Sequence, residues 1–212
     1  VQEKPKGIAQ AFLIAENFLD GETACLILGD NIFHGACFTE MLSYAKFNAI
    51  DETATVFGYR VNDPERYGVA EIDELGYCVS IEEKPKNPKS NYAVTGLYFY
   101  PSDVVEKAKQ IKPSDRGELE ITTLNQMYLE EDRLSMEVLP RGFAWLDTGT
   151  FESLSNASNY IETVEKRQGL QIACLEEIAY NHDWISKDNV EAAAKLMEKN
   201  DYGQYLKTLI KK

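Results

Sequence analysis

A chain of 212 residues that is 44% hydrophobic can bury one substantial core and needs no second domain. Its 35 acidic and 22 basic residues leave a formal charge of −13, which argues against nucleic acid or an anionic membrane as partner, since both demand a basic surface. No apolar stretch is long enough to span a bilayer and no signal-peptide pattern opens the sequence; four cysteines without C-x-x-C spacing (Cys25, Cys37, Cys78, Cys174) read as buried reduced thiols. Together these features imply a cytoplasmic protein.

Residues 7–18 place Ala11, Ile14, Ala15 and Phe18 on one helical face, predicting a helix that leads into the next strand. Ala24-Cys25-Leu26-Ile27-Leu28 lacks alternation and predicts a strand buried on both faces, as in a parallel sheet covered by helices. Gly29-Asp30 ends that run, setting a carboxylate at the carboxyl end of the strand, where open α/β sheets bind ligands. A helix over 38–47 and a strand over 54–61 follow. Residues 69–73 and 77–81 form a hairpin with Glu74-Leu75-Gly76 as its turn. Residues 92–100 read as an aromatic strand, 104–111 as a helix, and 118–131 as a second helix whose leading acids suit its N-terminal dipole. A second apolar unit, 143–150, is interrupted by Asp147. A helix over 151–167 is closed by Gly169, with a short strand at 170–174, and Ser186 and Asp188 are candidate caps before a helix at 190–198.

This alternation indicates a mostly parallel α/β sheet flanked by helices, with one β-hairpin insertion and a helical C-terminal tail that packs on the core or on another subunit. The expected organisation is a core at 1–168 and a mainly helical extension of the same domain at 169–212. Asp30 and Asp147 can share one Mg²⁺, which takes oxygen ligands and keeps phosphate and water in its remaining positions. The plainer reading of an Asp after an apolar run is a helix cap. With two histidines and no nucleophile motif, His34 and His182 read as surface or interface residues.

Six segments stand in a telling order: Leu28-Gly29-Asp30-Asn31, Asn62 to Val69, Glu82-Glu83-Lys84-Pro85, Tyr92 to Tyr98, Arg116 to Thr122, and Trp145 to Thr150. In this order the chain resembles the sugar-1-phosphate nucleotidyltransferases over its whole length, which implies a Rossmann-like nucleotidyltransferase sheet. The thymidylyl-transferring members match best, and that resemblance implies transfer of a thymidylyl group from dTTP to glucose 1-phosphate for deoxysugar (rhamnose-type) biosynthesis. It also implies Mg²⁺ as cofactor on Asp30 and Asp147, and a homo-oligomer, tetrameric in the family. It gives Lys84 the sugar phosphate, Glu83 the sugar hydroxyls, and Tyr67, Gly68, Val94, Thr95 and Gly96 the walls of the sugar pocket. Arg116 either holds phosphate with its planar fork or pairs with Glu118 or Glu120 on the surface. Gln2 and Gly7 match the positions that recognise the base, for which an amide offers both donor and acceptor. Phe33-His34-Gly35 and Glu176-Glu177-Ile178 match a second, regulatory nucleotide site. In the family a Gly-rich loop with an Arg, followed by a Lys, precedes the first residue seen here. The expectation is therefore a chain without the N-terminal part of the fold, which does not turn over by itself. A uridylyl- or adenylyltransferase and a non-catalytic binding or assembly module remain the competing readings.

Overall fold

In a computed structural model describing residues 4–211, the chain divides into two units, Val1–Leu146 and Asp147–Lys212. The first opens with α1 (Gln10–Ile14) and α2 (Glu16–Leu19), then β1 (Ala24–Ile27), β2 (Asn31–His34), α3 (Phe38–Ile50) and β3 (Ala54–Arg60). The hairpin β4 (Gly68–Ile72) and β5 (Cys78–Glu83) follows, then β6 (Tyr92–Tyr100), α4 (Val104–Gln110), α5 (Ile121–Glu130), β7 (Leu134–Val138) and β8 (Ala144–Asp147). Strand β7 is not among the elements expected from sequence, although Leu134, Met136 and Val138 alternate with polar residues.

Every residue of β6 after the first is buried, and the strand is the spine of the sheet. Val94, Tyr98 and Tyr100 enter one apolar cluster with Phe12, Leu124 and Tyr128; Ala93, Leu97 and Phe99 enter another with Phe57, Phe143 and Trp145. The sheet order is β5-β4-β6-β3-β7, with β1 also paired to β6, while β2 and β8 form a separate ribbon. The α/β class is as expected, but pairing direction differs from the parallel expectation. Strands β1, β3 and β4 all run antiparallel to β6, as β5 does to β4, and the β3–β7 pair is parallel. A continuous apolar run reports burial on both faces, which a central antiparallel strand between two clusters satisfies as well as a parallel one.

Other local expectations are corrected. In β1, Ala24 is buried but Cys25 is exposed and Ile27 is 59% exposed, so this strand has one open face. Of the four thiols, Cys78 and Cys174 are buried, whereas Cys25 and Cys37 are not. The helix at 7–18 breaks at Ala15, and its buried residue is Phe12, edge-on to Tyr100 at 5.2 Å; Ile14 and Phe18 face outward. Helix α5 starts three residues later than expected, because Leu119 is drawn into extended pairing: its N–H donates to the Lys6 carbonyl at 2.7 Å, and its carbonyl accepts from Ala9 at 3.2 Å.

One polar clasp secures the turns beneath the sheet. Arg133 donates to Asp103 Oδ2 at 2.8 Å and to the Glu52 carbonyl at 2.6 Å, and Tyr128 donates to Asp103 Oδ1 at 2.8 Å. The buried Lys107 ammonium sits 4.9 Å above the Tyr128 ring and pairs with Glu131. Burial opposes charge on Asp103, but the hydrogen bonds from Arg133 and Tyr128 and the nearby Lys107 outweigh it and hold the carboxyl below its usual range. A folded-state pKa below the unfolded one gives stability that is present above about pH 4 and lost as pH falls through the folded value. Asp103→Asn is therefore expected to cost about 1–2 kcal/mol in urea unfolding at pH 7, and less at pH 3. Equal losses at both pH values would remove the charged clasp from the account.

The second unit contains α6 (Phe151–Gln168), α7 (Leu175–Asn181), α8 (Lys187–Leu196) and α9 (Asp201–Leu209), the last three gathered around buried Cys174, Val190, Ala194 and Leu206. This unit includes α6 as well as the extension expected from residue 169 onward. Thr150 and Ser186 cap α6 and α8 through reciprocal boxes with Ser153 and Asn189, and Gly169 (φ 68°) ends α6. Residues 170–174, expected as a short strand, form a turn, with the Ile172 N–H held by Glu165 at 2.8 Å.

Candidate active site

The hairpin β4–β5 brings Gly68 opposite Glu83, and the Lys84 N–H donates to the Tyr67 carbonyl at 3.0 Å. Tyr67, Gly68, Glu83 and Lys84 thereby share one strand end. Lys84 holds φ 41°, in the left-handed region that a β-carbon disfavours, so its backbone is set by the hairpin end and Pro85 rather than by its own preference. Its side chain is half exposed, with Nζ 3.9 Å from Glu83 Oε1.

Glu83 is fixed from two sides. Thr122, buried in the first turn of α5, donates its hydroxyl to Glu83 Oε2, and Arg116 Nη2 lies 3.4 Å from Oε1. Arg116 grips Glu120 more closely, at 2.9 Å to each carboxylate oxygen, and Glu120 also accepts from Ser114 at 2.7 Å. Arg116 is thus paired with Glu120, one of its two expected roles, and its tip lies within reach of Glu83. A methyl group on Gly68 would stand 3.2 Å from Thr122 Oγ1, 3.5 Å from Glu83 Oε2 and 3.9 Å from Val94 Cβ, which places these four residues around one small space. Thr122 was within a quoted segment, but nothing in its sequence context distinguished it from an ordinary helix residue.

Neighbouring strand positions divide. Thr95 is wholly buried, and its hydroxyl has no hydrogen-bond partner among the described residues. Gly96 is occupied from another direction: a β-carbon there would meet Asn31 Oδ1 at 2.7 Å and Leu28 Cβ at 2.8 Å. Its missing side chain makes room for Asn31.

Asp30 lies exposed in the turn between β1 and β2, beyond the end of β1, and accepts from Asn31 Nδ2 at 2.8 Å. Asp147, the last residue of β8, is half-buried and accepts from the Gly149 N–H at 2.8 Å. Gly7 has φ 97°, and a β-carbon would fall 2.3 Å from the Leu119 carbonyl oxygen, so only glycine allows this backbone approach. Gly7 also borders an apolar cavity of about 380 Å³ with Ile8, Ala11, Ile14, Leu26 and Leu28. Gln2 lies outside the described residues. His34 is half-buried and His182 is exposed, stacked on Trp184 at 5.0 Å.

A family model described as nucleotidyl transferase matches residues 1–164. The chain belongs to the nucleotidyl transferase family. Over all 212 residues it is 58% identical to a glucose-1-phosphate thymidylyltransferase of Neisseria gonorrhoeae, of which it spans 73%. It is 47% identical over 211 residues to one from Mycobacterium tuberculosis, spanning 72% of that protein. Among solved structures, a Bacillus anthracis protein described as a glucose-1-phosphate thymidylyltransferase in complex with a sucrose is 44% identical, with a TM-score of 0.66. That match covers 76% of this chain and 63% of the other. A UDP-glucose pyrophosphorylase complexed with UDP-glucose gives the same TM-score at 26% identity, over 76% of this chain and 64% of that one. No described helix is long and apolar enough to cross a membrane.

Proposed function

We infer that the protein transfers a thymidylyl group from dTTP to glucose 1-phosphate, giving dTDP-glucose and pyrophosphate. The observation that supports this most is the strand-end grouping of Glu83, Lys84, Gly68 and Val94, in a chain 58% identical throughout to a glucose-1-phosphate thymidylyltransferase. One acid held by Thr122 and Arg116 suits sugar hydroxyls, and one compact cation beside it suits a monophosphate. The sugar phosphate oxygen attacks the α-phosphorus of dTTP; a P–O bond forms there as the bond to the bridging oxygen breaks, and pyrophosphate leaves with the electron pair. Because the nucleophile is already an anion, positioning and charge neutralisation replace a general base.

On this reading Lys84 holds the sugar phosphate, with Arg116 within reach of the same pocket, and Glu83 accepts from the sugar hydroxyls. Tyr67, Gly68 and Val94 wall the sugar, Gly7 and the apolar cavity beside it take the base, and Gln2 reads the pyrimidine edge. Among the described residues no group of three or more His, Cys, Asp or Glu side chains gathers as a metal cage. Mg²⁺ needs none, being commonly held by one or two carboxylates and substrate phosphates, and Asp30 and Asp147 are each an oxygen donor of the kind it takes. When bound there it would neutralise charge on the phosphates. The exposed Phe151, Leu154, Leu175 and Ile178 of the second unit favour a homo-oligomer, which light scattering would weigh.

The test is an assay of the gene product that carries these residues, with glucose 1-phosphate, Mg²⁺ and either dTTP or UTP. Formation of dTDP-glucose at least ~10-fold faster than UDP-glucose is expected, the scale of discrimination that one methyl group in an apolar pocket provides, with the 2′-hydroxyl of UTP as a second point of difference. Faster turnover of UTP would transfer the proposal to uridylyl chemistry, and no turnover of either would favour a binding module.

A further inference from the structure

Asn31 joins three strands through one carboxamide. Its Oδ1 accepts from the Gly96 N–H on β6 at 3.0 Å and from Trp145 Nε1 on β8 at 2.7 Å, while its Nδ2 donates to Asp30 Oδ1 at 2.8 Å. The donors on Oδ1 come from residues 65 and 114 positions away in the chain, so the amide is fixed by the assembled core rather than by its own turn. Trp145 is buried and Gly96 lies in the spine strand. The amide cannot turn over: a flip would set its NH₂ against two N–H donors and its oxygen against a carboxylate, replacing all three hydrogen bonds with like-against-like contacts. Position 96 must lack a side chain for the amide to seat at all, since a β-carbon there would stand 2.7 Å from Oδ1.

We propose that Asn31 is a positioning residue, whose amide transmits the fixed geometry of β6 and β8 to the carboxylate of Asp30. This rests on the reading of Asp30 as the phosphate-side metal ligand. Asp30 is exposed in a tight turn, where a carboxylate samples several rotamers unless a neighbour holds it. Only an amide of this length offers an acceptor to the core and a donor to Asp30. An aspartate at 31 keeps the acceptor and reverses the other end. A leucine keeps the volume and loses both.

Two variants separate positioning from a structural lock. Asn31→Ala removes every hydrogen bond made by the side chain, whereas Asn31→Asp retains an acceptor for Gly96 and Trp145 and replaces the donor to Asp30 with a second carboxylate oxygen. With Trp184→Phe as background, Trp145 supplies the single indole N–H resonance, because the sequence contains two tryptophans. Positioning predicts that Asn31→Asp keeps that downfield indole resonance and the thermal midpoint, while kcat falls about 10–100-fold with the KM for glucose 1-phosphate nearly unchanged. A readout free of metal and turnover accompanies it: Asp30→Ala should shift the Asn31 side-chain NH₂ resonances and leave the Trp145 indole in place. Asn31→Asp with native kcat, beside an Asn31→Ala variant that is unstable, would show a structural lock and overturn the proposal. So would Asn31 NH₂ resonances indifferent to Asp30→Ala. If instead those resonances respond but Asp30→Ala turns over normally, the coupling stands and the assignment of Asp30 to the reaction fails.

Discussion

Asp30→Ala is expected to lower kcat by at least ~10²-fold, and Asp147→Ala by a similar factor, with both variants folded. The scale follows from removing one preorganised charge-stabilising group from a reaction that has no general base to share the burden. Asp30 lies exposed in a turn, and Asp147 ends a short strand where it caps its own turn at Gly149. Neither carboxylate carries part of the core, so a loss of activity in either variant should appear without a loss of thermal midpoint. Steady-state kinetics alongside calorimetry checks this. The reading of these two residues would be lost if turnover stayed within a few-fold of native, or if the melting temperature fell in step with activity.

Lys84→Ala should raise the KM for glucose 1-phosphate by about 10–100-fold while changing dTTP affinity far less. Its ammonium is half exposed and stands 3.9 Å from Glu83 Oε1, a contact too long and too wet to contribute much to stability. The expected cost therefore falls on the ligand, where a charge-assisted contact to phosphate is worth about 1.5–3 kcal/mol. Glu83→Gln should impair sugar use less than Glu83→Ala, since the amide keeps one acceptor oxygen. It also offers an NH₂ toward Thr122 or Arg116, so its loss should exceed zero. Equal losses for both substrates in Lys84→Ala would make this lysine a surface residue.

Local pattern was sufficient for much of the fold. The strand at 92–100, the hairpin with Gly76 at its turn, the helix closed by Gly169 and the Ser186 cap all follow from burial runs, turn chemistry and capping, which act over a few residues. The same short range explains the failures. Whether β1 is covered on its second face, whether β6 pairs antiparallel, and whether Leu119 extends or coils are decided by partners far along the chain. Asp30 and Asp147 stand out because they follow apolar runs with charge, and all of Asp30, Glu83, Lys84 and Asp147 because their motifs resemble a known family. Thr122 and Asn31 do not, for their importance is one of angle and distance. Local pattern thus suffices for the α/β class and most element positions. That Gly96 makes room for Asn31, that Gly7 serves a backbone approach, and that Thr95 is sealed in the core emerges from the folded chain alone, because a close contact between distant segments leaves no periodic trace in either of them.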